Sequence, residues 1–337
     1  MTAAVALDMV FVVDPVESLA PGHDTSVALM EAAQLRGHRV LITTAKDLSY
    51  ADGEVTARCT AVTLRPAVLH DGRWMTDAEW YTLGPSTDRA LSEAAVVFMR
   101  TDPPVDPAYL RATYLLDLVD RTRTLVVNSP SGLRDANEKL FGLREPDLMP
   151  PTLVTADRDR IRDTVRRWGR AVLKPTDAMA GRGVLVLTPE DPNLSSIVDG
   201  ATERGTVQVV VQQWVAEADA GDRRLIVLDG EPIGVVRRIA RGGDFRCNMA
   251  AGAGVRADQV TVADRLLCER LAPHLRALGL RFVGLDVIGD RLTEVNVTSP
   301  TGVREIDALC GTHLAHDVIV WAERVCPAPV VPERRRR

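Results

Sequence analysis

The densest run of chemistry-bearing residues is VGLDVIGDRLTEVNV, residues 283–297. Two hairpin registers fit it. A two-residue turn at Gly289-Asp290 sets Asp286 opposite Thr293 and sends Asp286 and Glu294 to different faces. A three-residue turn over 289–291 pairs Asp286 with Glu294 and Gly284 with Asn296. It also collects Val283, Leu285, Val287, Val295 and Val297 on one face. A one-residue slip moves every side chain to the other face, so this apolar set favours the second register. Asp286, Glu294 and Asn296 then share the opposite face with Ile288 and Leu292. Two carboxylates and an amide oxygen are hard ligands suited to Mg²⁺ bridging nucleotide phosphates. A solvated hairpin face would carry the same polar residues, but Ile288 and Leu292 argue against full solvation.

A second segment, KPTDAMAGRG at 174–183, ends a strand in Lys174 and opens a glycine-bearing loop containing Gly181 and Gly183. Backbone N–H groups of such loops can cradle phosphate. The P-loop order is absent and no helix follows, so an ordinary hairpin loop is the competing reading. A third segment, DANEK at 135–139, ends in Lys139; its acids also fit the capped start of a surface helix. The chain holds only three lysines, Lys46, Lys139 and Lys174, among 41 basic residues. Arginine serves wherever a generic cation suffices, so a retained lysine marks a place for a compact ammonium. Arg100, Arg224, Arg238, Arg246 and Arg304 follow strands or lie in an aperiodic stretch, where they could clamp carboxylates or phosphates.

The elements that must position these residues alternate. Residues 4–13 read as a strand buried on both faces, 24–36 as a helix stopped by Gly37, and 39–44 as the next strand. Residues 68–74 read as a hairpin around Asp71-Gly72, 95–99 as a buried strand, 107–120 as a helix and 125–128 as a strand. This is an open, doubly wound α/β sheet, whose ligands sit beyond the carboxyl ends of strands, where Arg100 stands. Farther on, 157–168, 192–204 and 260–278 read as helices. Residues 171–174, 184–187 and 207–213 read as strands, and 223–228 with 233–238 as a hairpin around Asp229-Gly230. Residues 241–254 lack periodicity and read as a long loop of functional type. A net charge of −5 argues against general nucleic-acid binding, and no apolar run is long enough to span a membrane. Residues 1–13 lack a basic leader and a cleavage site and read as a first strand rather than a signal peptide. Five scattered cysteines without a CxxC pair read as unpaired cytosolic thiols.

In this order the pieces resemble the bacterial glutathione synthetases of the ATP-grasp superfamily. The stretches that carry the resemblance are RTDPP (100–104), SGLRDANEKLF (131–141), LKPTDAMAG (173–181), GDRRLIVLDGEP (221–232), GGDFRCNMAAGAG (242–254) and FVGLDVIGDRLTEVNVTSPTGVREI (282–306). The resemblance itself runs from about Val10 to Ala322, nearly the whole chain. The resemblance implies a Rossmann-like pre-ATP-grasp domain over 1–128 and a two-lobed ATP-grasp fold. Its small lobe spans 129–213 and its large lobe 214–327, with a lid over 240–256 and a disordered basic tail at 328–337. It implies that Lys139 and Lys174 hold ATP with the glycine loop, and that Gln212, Gln213, Trp214 and Val215 form the hinge that meets adenine. By the same resemblance Asp286, Glu294 and Asn296 ligate Mg²⁺ (two ions, with Mn²⁺ as a substitute), and Arg224 and Arg238 steady phosphate and the tetrahedral centre. Asp24, Thr25, Ser26 and Arg100 meet the peptide substrate, and Arg246 and Asn248 lie in the lid. The implied reaction joins γ-glutamylcysteine to glycine through an acyl phosphate. The alternative is a γ-glutamyl or other dipeptide ligase of a specialised pathway, with a different carboxylate or amine. The expected partners are small molecules and further copies of the chain, and the expected location is the cytoplasm. Cys247 and Ala253 in the lid, and Ala178 and Ala180 in the glycine loop, stand where glycine is usual.

Overall fold

The computed structural model describes residues 6–179, 181–240, 247 and 254–328. Ala180, Arg246, Asn248, Ala253, most of the expected lid and nearly all of the basic tail lie outside the described residues. The elements, in order, begin β1 (Asp8–Val12), α1 (Thr25–Leu35), β2 (Arg39–Thr43), β3 (Leu48–Ala51), β4 (Glu54–Leu64), β5 (Val68–His70), β6 (Arg73–Met75), β7 (Tyr81–Ala90), β8 (Val96–Met99), α2 (Pro107–Leu116), β9 (Leu125–Val127) and α3 (Pro130–Asp135). There follow β10 (Thr152–Thr155), α4 (Arg158–Trp168), β11 (Ala171–Pro175), β12 (Leu185–Leu187), α5 (Leu194–Ala201), β13 (Val209–Gln213), β14 (Asp222–Leu228), β15 (Glu231–Ile239) and β16 (Gly254–Ala257). Last come α6 (Val262–Ala277), β17 (Phe282–Ile288), β18 (Arg291–Asn296), α7 (Val303–Cys310) and α8 (Leu314–Val325).

The described residues divide into two compact units. Those up to Arg134, with Leu278–Phe282 and those from Thr298 onward, form the first. Its sheet runs β3-β4-β2-β1-β8-β9, with β7 paired to β4. The pairs β2-β1, β1-β8 and β8-β9 are parallel, as the continuous apolar runs predict. Strands β3, β4 and β7 extend it antiparallel and were not legible, because β7 is exposed along most of its length and alternates weakly. Helix α1 starts where the Asp24 carboxylate accepts the N–H groups of Ser26 and Val27 at 2.6 and 3.2 Å. Its residues Thr25 to Ala33 are all buried, as a helix apolar on every side requires.

The second unit comprises the described residues from Asp135 to Ala277, and Val283–Val297. A four-stranded antiparallel sheet, β10-β13-β11-β12, carries α4 and α5 over a core of Ile161, Val165, Leu173, Leu187, Val198, Val209 and Val211. A five-stranded sheet runs β16-β15-β14-β17-β18. The turn between β14 and β15 is the predicted Asp229-Gly230, with φ of 50° and 89°, the pair of positive angles that a tight type I′ turn needs.

The β17–β18 hairpin corrects one expectation. Asp286 pairs with Glu294 and Gly284 with Asn296, as the apolar pattern required. The turn, however, is the two-residue Gly289-Asp290, since Ile288 pairs with Arg291. A bulge at Thr293 reconciles the two: Val287 pairs with Leu292, and the ladder shifts by one residue before Glu294. Leu292 is therefore fully buried in the core rather than on the polar face.

Candidate functional site

The second unit contains a cavity lined by Lys139, Lys174, Ala178, Gly181, Gln212, Gln213, Trp214, Val215, Asp222, Arg238, Asp286 and Glu294. Pro150, Val172, Val184, Ala218, Cys247, Ile288 and Thr293 complete the wall. Of the residues expected to hold nucleotide, all but Gly183 reach it. Gly183 has a φ of 67°, and a Cβ there would lie 2.8 Å from the Pro175 ring, so its task is closing the loop. Arg224 is not in the lining but is bonded to Asp286, which is, and Asn296 is not in the lining. The expected surface helix at 135–139 is absent: α3 ends at Asp135, and Lys139 is 5% exposed.

The two lysines have different surroundings. The Lys139 ammonium donates to the Ala178 carbonyl and lies 3.4 Å from Glu294 Oε1. Lys174 donates to the Thr293 carbonyl at 3.3 Å. Burial pulls its pKa below the ordinary lysine range; Glu294 opposes this and Lys139 adds to it. The bulge matters here, since it turns Thr293 and Glu294 to the same cavity.

Asp286 is the hub of a buried charge cluster. It accepts from Arg224 Nε at 2.5 Å and Nη2 at 3.0 Å, and lies 3.0 Å from Arg238 Nη2. Burial alone would raise its pKa, but the two guanidiniums hold its carboxyl well below the usual range. Arg238 is further gripped by Asp222, at 2.7 and 2.5 Å. Burial pushes Asp222 upward against the pull of Arg238. Asp222 escaped the sequence reading, although it lies two residues from Arg224 on β14 and so shares its face.

The hinge residues are fixed by their backbone. Gln213 N–H donates to the Pro151 carbonyl at 2.9 Å and Trp214 N–H to that of Arg170 at 3.0 Å. The Arg170 guanidinium stacks 3.6 Å over the Trp214 ring. Gln212 is buried and donates to Thr152 Oγ1 at 3.2 Å.

The donor chemistry around Asp286 and Glu294 fits Mg²⁺. Asp286 is held ionised, Glu294 faces it across the ladder, and Asn296 follows two residues on. Among the described residues no three acidic, histidine or cysteine side chains form a metal cage of their own. A divalent ion here would complete its shell from phosphate and water, the habit of Mg²⁺.

In the first unit, Arg100 is 3% exposed and donates through Nε to Ser26 Oγ and through Nη2 to the Pro300 carbonyl, both at 3.1 Å. Asp24, Thr25 and Ser26 open α1 beside it. Arg304, singled out in the sequence, is instead structural: it stacks 4.7 Å over Trp74 and lies 2.8 Å from buried Glu31. Arg246 and Asn248 lie outside the described residues.

Residues 7–134 match the model of the prokaryotic glutathione synthetase N-terminal domain, and residues 138–311 that of the prokaryotic glutathione synthetase ATP-grasp domain. The chain belongs to the prokaryotic glutathione synthetase family. Curated relatives named glutathione synthetase include that of Thermosynechococcus vestitus, 52% identical over 94% of this chain and 99% of the relative. That of Nostoc is 51% identical over 94% and 98%, and that of Xanthomonas campestris 40% over 92% and 96%. Solved structures with a similar fold include the D-cycloserine synthetase DcsG (TM-score 0.62, 17% identity, 94% of this chain and 99% of that one). Another is the ATP-grasp ligase PsnB complexed with a precursor variant, Mg and ADP (TM-score 0.60, 17% identity, 95% and 98%). At such identity the likeness concerns the fold alone, and the fold is ATP-grasp, as the resemblance implied. As a member of the glutathione synthetase family the chain is an ATP-dependent ligase, and ATP-grasp ligases use ATP with Mg²⁺. The relatives do not favour the alternative of a specialised dipeptide ligase. No helix among the described residues is long and apolar enough to cross a membrane.

Proposed function

We infer that this chain joins γ-glutamylcysteine to glycine, converting ATP to ADP and phosphate, and so makes glutathione. The observation that carries the reading is that identity of about half to curated glutathione synthetases extends over 94% of the chain, while the two family models together span both the cavity residues and Arg100. ATP would lie in the cavity with its phosphates against Lys139, Lys174 and the Gly181 loop. With the Gln213 and Trp214 amides already engaged, Val215 is the backbone position left to face the base. Asp286, Glu294 and Asn296 would hold Mg²⁺, as one ion or two, with Mn²⁺ accepted by the same oxygen set. When bound, the metal supplies charge neutralisation across the phosphates.

The protein's own groups have mainly to position and to neutralise charge. The cysteinyl carboxylate attacks the γ-phosphorus, ADP leaves, and the glycine amine displaces phosphate from the acyl phosphate. Among the described residues, four cations (Lys139, Lys174, Arg224, Arg238) stand against three carboxylates (Asp222, Asp286, Glu294), a net positive balance before substrate enters. Asp222 and Asp286 hold Arg238 from both sides, which keeps its guanidinium in place while charge develops. A lid over 240–256 would shield the acyl phosphate from water. The lobes at 129–213 and 214–327, a homo-oligomeric state and a cytoplasmic location belong to the same reading.

Incubating the protein with ATP, Mg²⁺, γ-glutamylcysteine and glycine should release ADP and glutathione in equal amounts. Absence of ADP release would overturn the reading. Glu294→Ala should abolish turnover while the chain still melts cooperatively.

A further inference from the structure

Strand β18 ends the five-stranded sheet of the second unit, so among the described residues its outer edge has no strand beside it. Its one ladder, to β17, breaks at the bulge just before Glu294. The strand that carries Glu294 and Asn296 is thus both an edge and irregular. An edge leaves a row of backbone N–H groups without ladder partners.

Two of those groups go to a single residue outside the sheet. The Val295 N–H donates to the Glu138 main-chain carbonyl and the Val297 N–H to Glu138 Oε1, both at 2.9 Å. They belong to the peptide bonds that directly follow Glu294 and Asn296. A peptide unit is planar, so fixing it fixes the Cα on either side. Glu138 thereby sets where both side chains leave the backbone. The neighbours of Glu138 hold the opposite wall of the cavity. Asn137 Oδ1 accepts the N–H groups of Lys139 and Leu140 at 3.0 and 3.2 Å, which shapes the turn. Asn137 Nδ2 donates to the Thr176 carbonyl at 2.9 Å, and the Lys139 ammonium donates to that of Ala178. Consecutive residues of one turn therefore grip the loop after β11 on one side and β18 on the other. The acid at 138, which the sequence allows as a helix cap, is a backbone anchor instead.

We propose that Glu138 is a positioning residue for the metal site, acting through the backbone of β18 to present Glu294 and Asn296 to a divalent cation. The proposal rests on the reading of Asp286, Glu294 and Asn296 as metal ligands given above. Groups that orient metal ligands from outside matter nearly as much as the ligands. Such groups usually bond to the ligand side chain; Glu138 instead orients two ligands at once through the main chain. It does so from the same turn that sets Lys139 3.4 Å from Glu294, so one short segment aligns the metal strand with a nucleotide-facing cation.

The test uses Mn²⁺ as the probe and follows the loss of its free-ion electron paramagnetic resonance signal on binding to the protein–ADP complex, so no turnover is involved. Glu138→Ala should weaken Mn²⁺ binding roughly 10-fold, the lower end of the effect of such outer groups, because the main-chain bond to Val295 survives. Glu138→Gln keeps an acceptor oxygen for the Val297 N–H and should retain most of the affinity. ADP affinity without metal should match wild type in both variants. An unmoved Mn²⁺ affinity in Glu138→Ala would overturn the proposal. So would equal losses in the Ala and Gln variants, which would make the carboxylate charge itself a ligand. A fall in metal-free ADP affinity as large as the fall for Mn²⁺ would reduce Glu138 to a general prop of the fold and overturn it too. Glu294→Ala is the reference. If that variant binds Mn²⁺ as wild type does, the metal reading falls and the proposal with it. If it loses Mn²⁺ while Glu138→Ala does not, the proposal alone falls. No peptide is present, so a failure to make glutathione leaves each of these outcomes standing.

Discussion

Lys174 and Lys139 face one cavity, yet their removal should shift stability in opposite directions. Among the described residues Lys174 has no carboxylate within hydrogen-bond reach and keeps a single bond, to the Thr293 carbonyl, while burial disfavours its charge. Lys174→Met keeps the length of the side chain and removes the desolvated ammonium. The relief outweighs one lost hydrogen bond, worth about 1 kcal/mol, and buried ionic groups replaced by apolar ones often gain stability by about 1–4 kcal/mol. A net gain of about 1 kcal/mol raises the melting temperature by roughly 2–4 °C. Lys139→Met instead strips Glu294 of its nearest cation, at 3.4 Å, and orphans the Ala178 carbonyl. Because Glu294 is partly solvated and still senses Lys174, the loss should be about 1–3 kcal/mol, below that of a fully buried pair. For ATP both changes act alike. A lost charge-assisted hydrogen bond of about 1.5–3 kcal/mol weakens binding roughly 10- to 150-fold. Thermal melts with and without ATP read both effects: Lys174→Met should melt higher alone and gain little from nucleotide. A lower melting point for that variant without ligand, or an undiminished shift with ATP, would refute the argument.

Two further outcomes follow from other parts of the fold. Gly221 has a φ of 95°, and a Cβ on it would stand 2.1 Å from the Arg238 carbonyl oxygen; Gly221→Ala should therefore cost about 2–4 kcal/mol in urea unfolding and displace Asp222 enough to raise KM for ATP. Glu323 accepts from Arg36 Nε at 2.5 Å and Nη2 at 2.7 Å and faces His38 at 2.6 Å. The Arg36 bond, and with it that of His38, hold its pKa below the usual glutamate value against the effect of burial. A depressed carboxylate contributes stability above its unfolded pKa and loses it as pH falls through the folded one. Glu323→Gln should thus cost about 1–3 kcal/mol at neutral pH, and the gap to wild type should close on acidification below the ordinary glutamate range.

What was legible in the sequence follows from period. The buried parallel strands β1, β8 and β9 show as unbroken apolar runs, and α1 is announced by Asp24 and closed by Gly37. Strand β7 was not, because it is exposed along most of its length; β4 buries Val55, Ala57, Cys59, Val62 and Leu64, but that face is built partly of small residues and its alternation breaks between Cys59 and Val62. In the site, the lysines stood out through their rarity, and Asp286, Glu294 and Asn296, the proposed metal ligands, through hairpin alternation. Asp222 did not, since a carboxylate before two arginines reads as ordinary surface charge until folding brings Arg238 against it. Arg304 shows the reverse: it was singled out with the other arginines, but its partners are Glu31 and Trp74.

The β17–β18 hairpin shows why a correct pairing can rest on a wrong turn. Two demands compete over the same seven residues. Gly289, with a φ of 61°, suits the first central position of a two-residue turn, which matches the twist of the flanking strands. The apolar residues demand that Leu285 meet Val295 and that Asp286 meet Glu294. An unbroken ladder cannot meet both, because the turn and the register differ by one residue. The sequence reading kept the ladder regular and lengthened the turn; the protein keeps the tight turn and bulges at Thr293. The second solution has a consequence the first lacks. A bulge breaks the alternation at that point, so Thr293 and Glu294 reach the same cavity while Leu292 stays in the core. It is the Thr293 carbonyl, exposed by that break, that receives the Lys174 ammonium. The extra residue that makes the hairpin irregular is thereby what joins the carboxylate strand to Lys174.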